Sequence, residues 1–288
     1  MFMSLSLLSG VLIAVMITIN GMLTMEHGVH SATVIIHFVG LIFIAGLVLI
    51  KRENPFAGRH TWYLYLGGAV GIVVTILNNL AFGRISVSAI LALVLLGQTI
   101  AGLLFDQFGF LNMPKYPFAR SKLVGIIIIL LGIATMIDNF EFASIVMSFS
   151  AGICIVVART LNALLANVTS LRIGVFYHHL IGTVLSLPIL LFLGSNEIAA
   201  FHLAPPSNWY IYLGGIFGIT VLLIGNIIVM KVSAFYLTLL IFVGQIFTSV
   251  IIDMILTQAF SHRNLLGGII VSIGLCVNLL LDYKRKSD

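Results

Sequence analysis

The sequence contains very little charge. Only 8% of its 288 residues are Asp, Glu, Lys or Arg, and 60% are hydrophobic. A soluble domain typically has about 25% charged residues. The mean hydropathy of +1.19 therefore excludes an ordinary soluble domain and indicates a chain that lies mostly in a bilayer.

Acidic residues and cysteines are especially few. The net charge of +5 could suggest a nucleic-acid partner, but the basic residues lie in short loops, as in a polytopic membrane protein. We therefore expect membrane lipid as the surroundings and no nucleic acid. The two cysteines, Cys154 and Cys276, lie in apolar runs, which predicts neither a disulfide nor a metal site. The N-terminus has no basic start typical of a cleaved signal, so it is predicted to be a retained first span.

Sequence motifs of catalysis are also missing. The chain has no HExxH, no GxSxG, no Walker loop and no paired acids within an apolar run. We therefore predict no catalytic residue, no cofactor and no metal, and we do not expect an enzyme.

Long apolar runs fill the chain instead. A membrane helix needs about 20 apolar residues, and loops rich in Pro, Gly and charge separate ten such runs. The predicted fold class is an all-α integral membrane protein with ten transmembrane helices. They cover roughly 4–25, 31–50, 62–82, 86–107, 122–138, 144–166, 172–193, 209–229, 233–256 and 264–282.

The basic residues are distributed unevenly between the loops. Of the 14 Lys and Arg, 11 lie on the side that holds both termini. Arg84 and Arg263 lie on the opposite side, and Arg159 lies within a span. The positive-inside rule then places both termini of a multi-pass bacterial cytoplasmic membrane protein in the cytoplasm.

The second half of the chain repeats the first. With a shift of 147 residues, about a third of the positions between Trp62 and Asp106 are identical to those beginning at Trp209. LLGQTIAGLLFD, for example, meets FVGQIFTSVIID. A shift of 142 applies before and after this block. We predict a 5+5 repeat, with residues 1–140 as repeat 1 and 141–288 as repeat 2, in one membrane domain.

An odd number of spans in each repeat has a topological consequence. The second repeat must enter the membrane from the opposite side, which gives an inverted repeat around an axis in the membrane plane. Such halves can exchange conformations and expose a central site to each side in turn, so the pattern favours a transporter. The alternative is a duplication that serves folding alone.

The chain resembles the drug/metabolite transporter (DMT) superfamily, and most closely its YdcZ-like branch. The resemblance rests on Gly10 to Asn20, the GGxxG that begins at Gly67, Asn79, and the Gly97–Gln98 pair, all of which recur in the second half. It implies a single bundle around a central cavity for small metabolites or toxic compounds. The membrane-embedded Glu of the small multidrug exporters has no counterpart in the first span, SLLSGVLIAVMITINGMLTM, which disfavours a proton-driven cation exporter of that kind.

Polar residues within the spans are the candidate substrate-binding residues, since such groups are costly in lipid. At about 1.5 Å per residue, Asn20, His37 and Asn79 fall toward the outer face of the membrane. Asn162, His179 and Asn226 fall toward the inner face, together with His178 and Arg159, and two glutamines lie between these layers. The expected site comprises Gln98, Gln245, Arg159, Asn162, Asn20, His37, His179, Asn79 and Asn226.

Other roles remain open for these residues. The asparagines could join helices by hydrogen bonds, and His37 and His179 could be neutral structural residues or take part in a proton step. Thr33, His37 and Gly40 share one helical face, so His37 is expected to face another helix or the cavity. Arg159 shares a face with Asn162 and could bind a carboxylate or phosphate, or extend to the lipid headgroups.

Asp106 and Asp253 are mirror-image acids near helix C-termini, where a carboxylate opposes the helix dipole. We expect a loop base or the amide groups of a neighbouring helix to compensate them, in a structural or gating role.

The sequence as a whole predicts a secondary active transporter of a small polar, carboxylate-bearing metabolite that works by alternating access. The alternatives are a multidrug exporter of the same superfamily, an intramembrane enzyme, a channel or a scaffold. The small-molecule substrate, with protons or another coupling ion, completes the expected partners. One chain is expected to suffice, and a homodimer is the alternative.

Overall fold

The protein is α-helical throughout the part that the computed structural model describes, which is residues 2–58, 60–110, 122–137, 140–229 and 234–287. No strand occurs among these residues. The helices are α1 (Phe2–His27), α2 (Val29–Ile50), α3 (Gly67–Ala81), α4 (Val87–Phe108), α5 (Lys122–Met136), α6 (Phe142–Val168), α7 (Leu171–Leu193), α8 (Ser195–Ala199), α9 (Gly214–Val229), α10 (Ala234–Thr257) and α11 (His262–Ser287).

Eight helical segments in the described part are long and apolar enough to cross a membrane. They coincide with eight of the ten predicted spans. The other two predicted spans, 122–138 and 264–282, correspond to α5, whose apolar part Leu123–Met136 is shorter, and to α11. Large apolar side chains such as Leu191 and Phe192 are exposed, as expected for a surface that faces lipid rather than water.

Local sequence sets several helix ends. The hydroxyl groups of Ser86 and Ser170 accept hydrogen bonds from the backbone N–H groups three residues later and so cap α4 and α7. Gly109 ends α4 in the left-handed conformation, with φ of 65°. The predicted spans 62–82 and 209–229 were expected to be α-helical from their start, but Trp62–Leu66 and Pro206–Leu213 are 3-10 helices. Such tighter turns are common where an α-helix begins.

The chain divides into two compact units. Unit 1 contains residues 1–15, 81–153 and 227–288, and unit 2 contains residues 16–80 and 154–226. Each unit therefore combines segments from both predicted repeats.

Unit 1 has an aliphatic core in which α4, α5, α10 and α11 meet. Its central side chains are fully buried and include Leu93, Ile129, Phe242, Ile246 and Val271. Close approach of backbones depends on glycine: a Cβ on Gly10 would overlap the carbonyl oxygen of Ile241, and a Cβ on Gly152 would overlap that of Val94. These two contacts are related by the shifts of 142 and 147 residues found in the sequence.

Asp253 joins three helices of unit 1. Its carboxylate accepts hydrogen bonds from the backbone N–H groups of Val87 (2.8 Å) and Ser88 (3.0 Å), from the Ser88 hydroxyl group (2.5 Å) and from Asn264 (3.2 Å). The positive end of α4 therefore compensates the acid at the end of α10, which confirms that amide groups of a neighbouring helix serve Asp253. The side chain of Asp106 lies outside the described part of the structure.

Unit 2 is organised by the close packing of α2 against α7. Ile44, Val48, Val175, Phe176 and Ile219 form the buried apolar core beside this pair. The two helices are antiparallel, because each helix N-terminus is bound by a carboxylate that follows the C-terminus of the other.

Those two carboxylates are Glu53 and Glu197. Glu53, after α2, accepts hydrogen bonds from Ser170 (2.7 Å) and from Nε of Arg172 (2.8 Å) at the start of α7. Glu197, after α7, accepts from the backbone N–H of Ser31 (2.7 Å) and bonds to the His30 ring (2.9 Å) at the start of α2.

Candidate functional site

A pocket in unit 2 brings a cation and an amide together. Arg159 and Asn162 of α6 line it, and its volume is about 20 Å³, room for about one water molecule. The remaining lining residues are Ala163, Ala166, Leu171, Gly174, Val175 and Leu222. Arg159 is exposed, whereas Asn162 is half-buried. The pocket therefore places one guanidinium and one amide side by side in otherwise apolar surroundings.

The Asn162 side chain links this pocket to α7. Its Nδ2 lies 3.0 Å from Nδ1 of His178, and its Oδ1 packs against Gly67, where a Cβ would overlap it. An amide nitrogen can only donate, so Nδ1 of His178 accepts this hydrogen bond. The neutral His178 ring then carries its own proton on Nε2.

His178 belongs to a cluster of three imidazoles, which we call the histidine triad (His37, His178 and His179). The ring centroids of His37 and His178 are 6.0 Å apart, those of His37 and His179 are 5.8 Å apart, and those of His178 and His179 are 5.2 Å apart. His37 and His179 are buried, with 2% and 4% of their surface exposed. Among the described residues, no group of three or more His, Cys, Asp or Glu is arranged to hold a metal ion.

Glycines make room for the three rings. A Cβ on Gly182 would overlap the ring of His37, and a Cβ on Gly40 would overlap that of His179. Gly71 of α3 contacts the ring of His178 in the same way. The triad thus occupies space that larger side chains at these positions would close.

Hydrogen bonds distinguish His37 from His179, which lie 142 residues apart in the sequence. Nδ1 of His37 lies 2.9 Å from the carbonyl oxygen of Thr33. Since a carbonyl only accepts, Nδ1 carries the proton and Nε2 is the basic nitrogen of His37. Neither ring nitrogen of the buried His179 forms a hydrogen bond of normal geometry within the described ranges, although a backbone group of His37 lies close enough to interact with the ring. Buried polar groups normally have a partner, so these nitrogens can take one.

The remaining predicted site residues are spread over both units. Asn20 packs its Oδ1 against Gly214, and Asn79 is buried near the end of α3. Asn226 lies in α9, but its side chain is outside the described part of the structure. Gln98 and Gln245 belong to unit 1, where Gln245 is buried and Gln98 is half-buried. Unit 2 therefore contains seven of the nine predicted residues.

The expected separation of the two histidines into opposite layers is wrong. His37 and His179 lie in contact, with ring centroids 5.8 Å apart. Each histidine is the ninth residue of its helix, about 12 Å from the helix start at 1.5 Å per residue. In an antiparallel pair of helices slightly more than 30 Å long, those two positions lie within about 10 Å of each other along the axis, so their rings can meet near the middle. The finding supports the expectation that His37 faces another helix.

His178 is a candidate that the choice of site residues missed. Its equivalent in the first half is Ile36, so it lacks the repetition that marks His37, His179 and the asparagines. The available signal was that His178 adjoins His179, and His179 is the equivalent of His37, which was predicted to face another helix.

Burial and hydrogen bonding act in opposite directions on the carboxylates at the ends of α2 and α7. Burial alone would raise the pKa of Glu197, but hydrogen bonds from Ser31 and His30 outweigh it and hold the pKa below its usual value. The hydrogen bonds from Arg172 are the main reason that the pKa of Glu53 is also lowered. Both groups are therefore ionised at neutral pH and keep α2 and α7 in register.

Comparisons with known proteins add a family and a fold. A family model described as "Putative inner membrane exporter, YdcZ" matches residues 1–135 and 143–277. No curated protein matches the chain. Among the solved structures, one titled "Crystal structure of protein" aligns with a TM-score of 0.64 at 15% identity, covering 99% of this chain and 97% of the other. At that identity the likeness shows a shared fold and nothing about activity.

Proposed function

Because the chain belongs to the YdcZ family, which is described as a family of inner membrane exporters, we propose that it is a secondary active transporter that moves a small polar metabolite by alternating access. The family and the apolar helices make it a multi-pass protein of the cytoplasmic membrane and support transport rather than catalysis. The mechanism, the substrate class and the orientation given below are our proposal.

The inverted repeat is the architectural basis of alternating access. Three observations support it. The two stretches that match the family model begin 142 residues apart, which is also the shift that relates His37 to His179. Equivalent helices pack antiparallel, as α2 and α7 do. Glycine contacts come in equivalent pairs, such as Gly40 with His179 and Gly182 with His37.

The pocket at Arg159 carries the proposal for the substrate. A guanidinium offers paired donors that match a carboxylate, and Asn162 lies beside it in the same pocket. The alternative for Arg159 is that it extends to the headgroups. We give priority to recognition because Arg159 lines the same pocket as Asn162, three residues further along α6. We therefore assign Arg159 to recognition of a carboxylate-bearing substrate.

The energy comes from a gradient, since the sequence has no Walker loop that would bind ATP. The bias of basic residues places both termini in the cytoplasm. Two repeats complete one bundle, so a single chain is the proposed transporting unit, with a homodimer as the alternative.

Counterflow in proteoliposomes tests the proposal. A carboxylate found by thermal-shift screening is loaded inside, and entry of the labelled compound from outside is followed. The wild-type chain should exchange the two pools. Arg159→Gln should weaken apparent substrate affinity about 10- to 150-fold, because a hydrogen bond to a charged group contributes about 1.5–3 kcal/mol. Arg84→Gln, which changes an exposed arginine outside unit 2, is the matched control.

Two results would contradict the proposal. Absence of exchange in wild-type vesicles with every carboxylate that raises the melting temperature would remove carrier activity for this class. Unchanged affinity in Arg159→Gln, with a melting temperature equal to that of wild type, would remove Arg159 from the site and leave it at the headgroups.

A further inference from the structure

The acidic residues of unit 2 all lie at helix ends. The unit contains only Glu26, Glu53 and Glu197. Each is paired: Glu26 with His202, Glu53 with Arg172 and Glu197 with His30. A divalent coupling cation that bound within the helices of this unit would therefore meet no carboxylate, the ligand that Ca²⁺ and Mg²⁺ sites normally include. A proton needs only a basic nitrogen.

The histidine triad supplies such nitrogens beside the pocket. The elements packed around it bring few other ionisable groups. α3 and α9 contain no acidic or basic residue, and α6 brings only Arg159 and Cys154. On α7, Arg172 and Tyr177 bond to Glu53 and to the carbonyl group of Pro55, away from the rings. Imidazole is the side chain that exchanges protons near neutral pH.

We propose that the histidine triad binds one proton, and that the amide of Asn162 couples this proton to an anion in the Arg159 pocket. The inference rests on the proposed transport function and names its coupling ion. The structure offers the proton Nδ1 of His178, once the Asn162 amide has turned away from it, besides Nε2 of His37 and the nitrogens of His179.

The Asn162 amide is the connecting element. In the neutral state its Nδ2–H donates to Nδ1 of His178. When His178 carries a proton on both nitrogens, Nδ1 becomes a donor and can no longer accept from Nδ2. The amide must then turn so that Oδ1 accepts from Nδ1–H. This rotation releases the Nδ2–H group, which can donate to an anion held by Arg159.

The triad holds a single proton because its rings are close together. With centroids 5.2–6.0 Å apart, a second positive charge would meet strong repulsion from the first. A bound anion opposes that charge and favours the protonated state, and by linkage the proton favours the anion equally. The species carried is then an anion together with one proton, so transport of a monocarboxylate moves no net charge.

The test measures proton binding directly. The full chain, labelled with ¹⁵N-histidine and placed in lipid nanodiscs, is titrated from pH 9 to pH 4 by NMR. The three triad rings should titrate as one coupled group that takes up one proton. His178→Ile, which introduces the residue found at the equivalent position 36, should abolish the effect of carboxylate on this uptake. His262→Gln, which removes an exposed imidazole of unit 1, should leave the uptake unchanged.

Coupling to the pocket is tested with propionate and succinate as probes and chloride as the control anion. At least one carboxylate should raise the proton affinity of the triad about 5-fold or more, the lower end of typical coupling between two sites. Arg159→Gln should abolish this shift without changing the uptake measured in chloride. The titration does not depend on transport by any of these variants, so its result can be interpreted even if counterflow is not observed.

Three results would overturn the inference. The first is that the triad rings remain neutral down to pH 4. The second is that they take up three protons independently. The third is that the carboxylates shift the titration of Arg159→Gln as much as that of wild type. Retention of the triad titration in His178→Ile together with loss of the carboxylate shift would support the role of the Asn162–His178 hydrogen bond.

Discussion

The carboxylate of Asp253 should be one of the largest single polar contributions to the stability of unit 1. Asp253→Asn keeps its size but replaces one acceptor oxygen with an NH2 group. The amide oxygen would occupy the place of Oδ2, which serves Ser88 and Asn264, and the NH2 group would then face the N–H of Val87. Two donors would meet where a donor and an acceptor met before.

The magnitude follows from what is lost. One hydrogen bond to a charged group contributes about 1.5–3 kcal/mol, and a negative charge at a partly buried helix N-terminus contributes up to about 2 kcal/mol. Relief from burying a carboxylate offsets part of this loss. We expect a net destabilisation of about 2–4 kcal/mol, which lowers the melting temperature by roughly 5–10 °C.

The assay can use the protein's own thiols. Cys154 and Cys276 are free and half-buried, so a thiol-reactive fluorophore reports unfolding in a fixed detergent. Ser88→Ala should be intermediate, since it removes only the hydroxyl hydrogen bond. Glu141→Gln, an exposed carboxylate of the same unit, should stay within about 0.5 kcal/mol of wild type. A melting temperature for Asp253→Asn equal to that of Glu141→Gln would refute the role assigned to the carboxylate.

Three further outcomes are expected. Gly10→Ala should destabilise the protein because its methyl group would overlap a backbone carbonyl, whereas Gly102→Ala meets open space and should stabilise α4 by up to about 1 kcal/mol; equal melting temperatures would contradict this. The pKa of Glu197 is lowered in the folded protein, so its contribution to the free energy of unfolding is complete above the unfolded pKa of about 4.3 and is lost as pH falls through the lower folded pKa. Glu197→Gln should therefore reduce the loss of stability on the acid side of a stability–pH curve. An unchanged acid side would contradict this role of Glu197. Gly71→Ala should displace the His178 ring and weaken the carboxylate-dependent shift in the proton affinity of the triad, whereas Gly218→Ala, at the equivalent position, meets only a methionine sulfur atom at 3.5 Å and should not; equal effects would argue against the contact.

Much of the fold could be predicted from the sequence because lipid imposes a simple rule on helix length and polarity. Eight of the ten apolar runs correspond to candidate spans, and α2 (Val29–Ile50) begins only two residues before its predicted start. The 3-10 helices at Trp62 and Pro206 were not predicted, because hydrophobic content does not distinguish a 3-10 turn from the first turn of an α-helix.

The site was harder to predict, because contacts between distant helices decide it. Arg159 and Asn162 are three residues apart on one helix, so their common pocket follows from helical geometry. His178 joins them through a hydrogen bond between different helices, and no spacing rule relates α6 to α7. The membrane depth estimated by counting residues along single helices was also wrong for His37 and His179, because the contact between their rings depends on how α2 and α7 align.

The paired glycine contacts have a consequence for how such a chain can change over time. Gly40 leaves space for His179, and Gly182 leaves the corresponding space for His37. At these two positions each half of the chain therefore sets the space that is available to a histidine ring of the other half. Replacement of one of these glycines by a larger residue therefore requires a smaller side chain in place of the histidine of the other half. A saturation-mutagenesis profile of residues 1–135 should thus superimpose on that of residues 143–277 at these contact positions, even where the amino acids themselves no longer match.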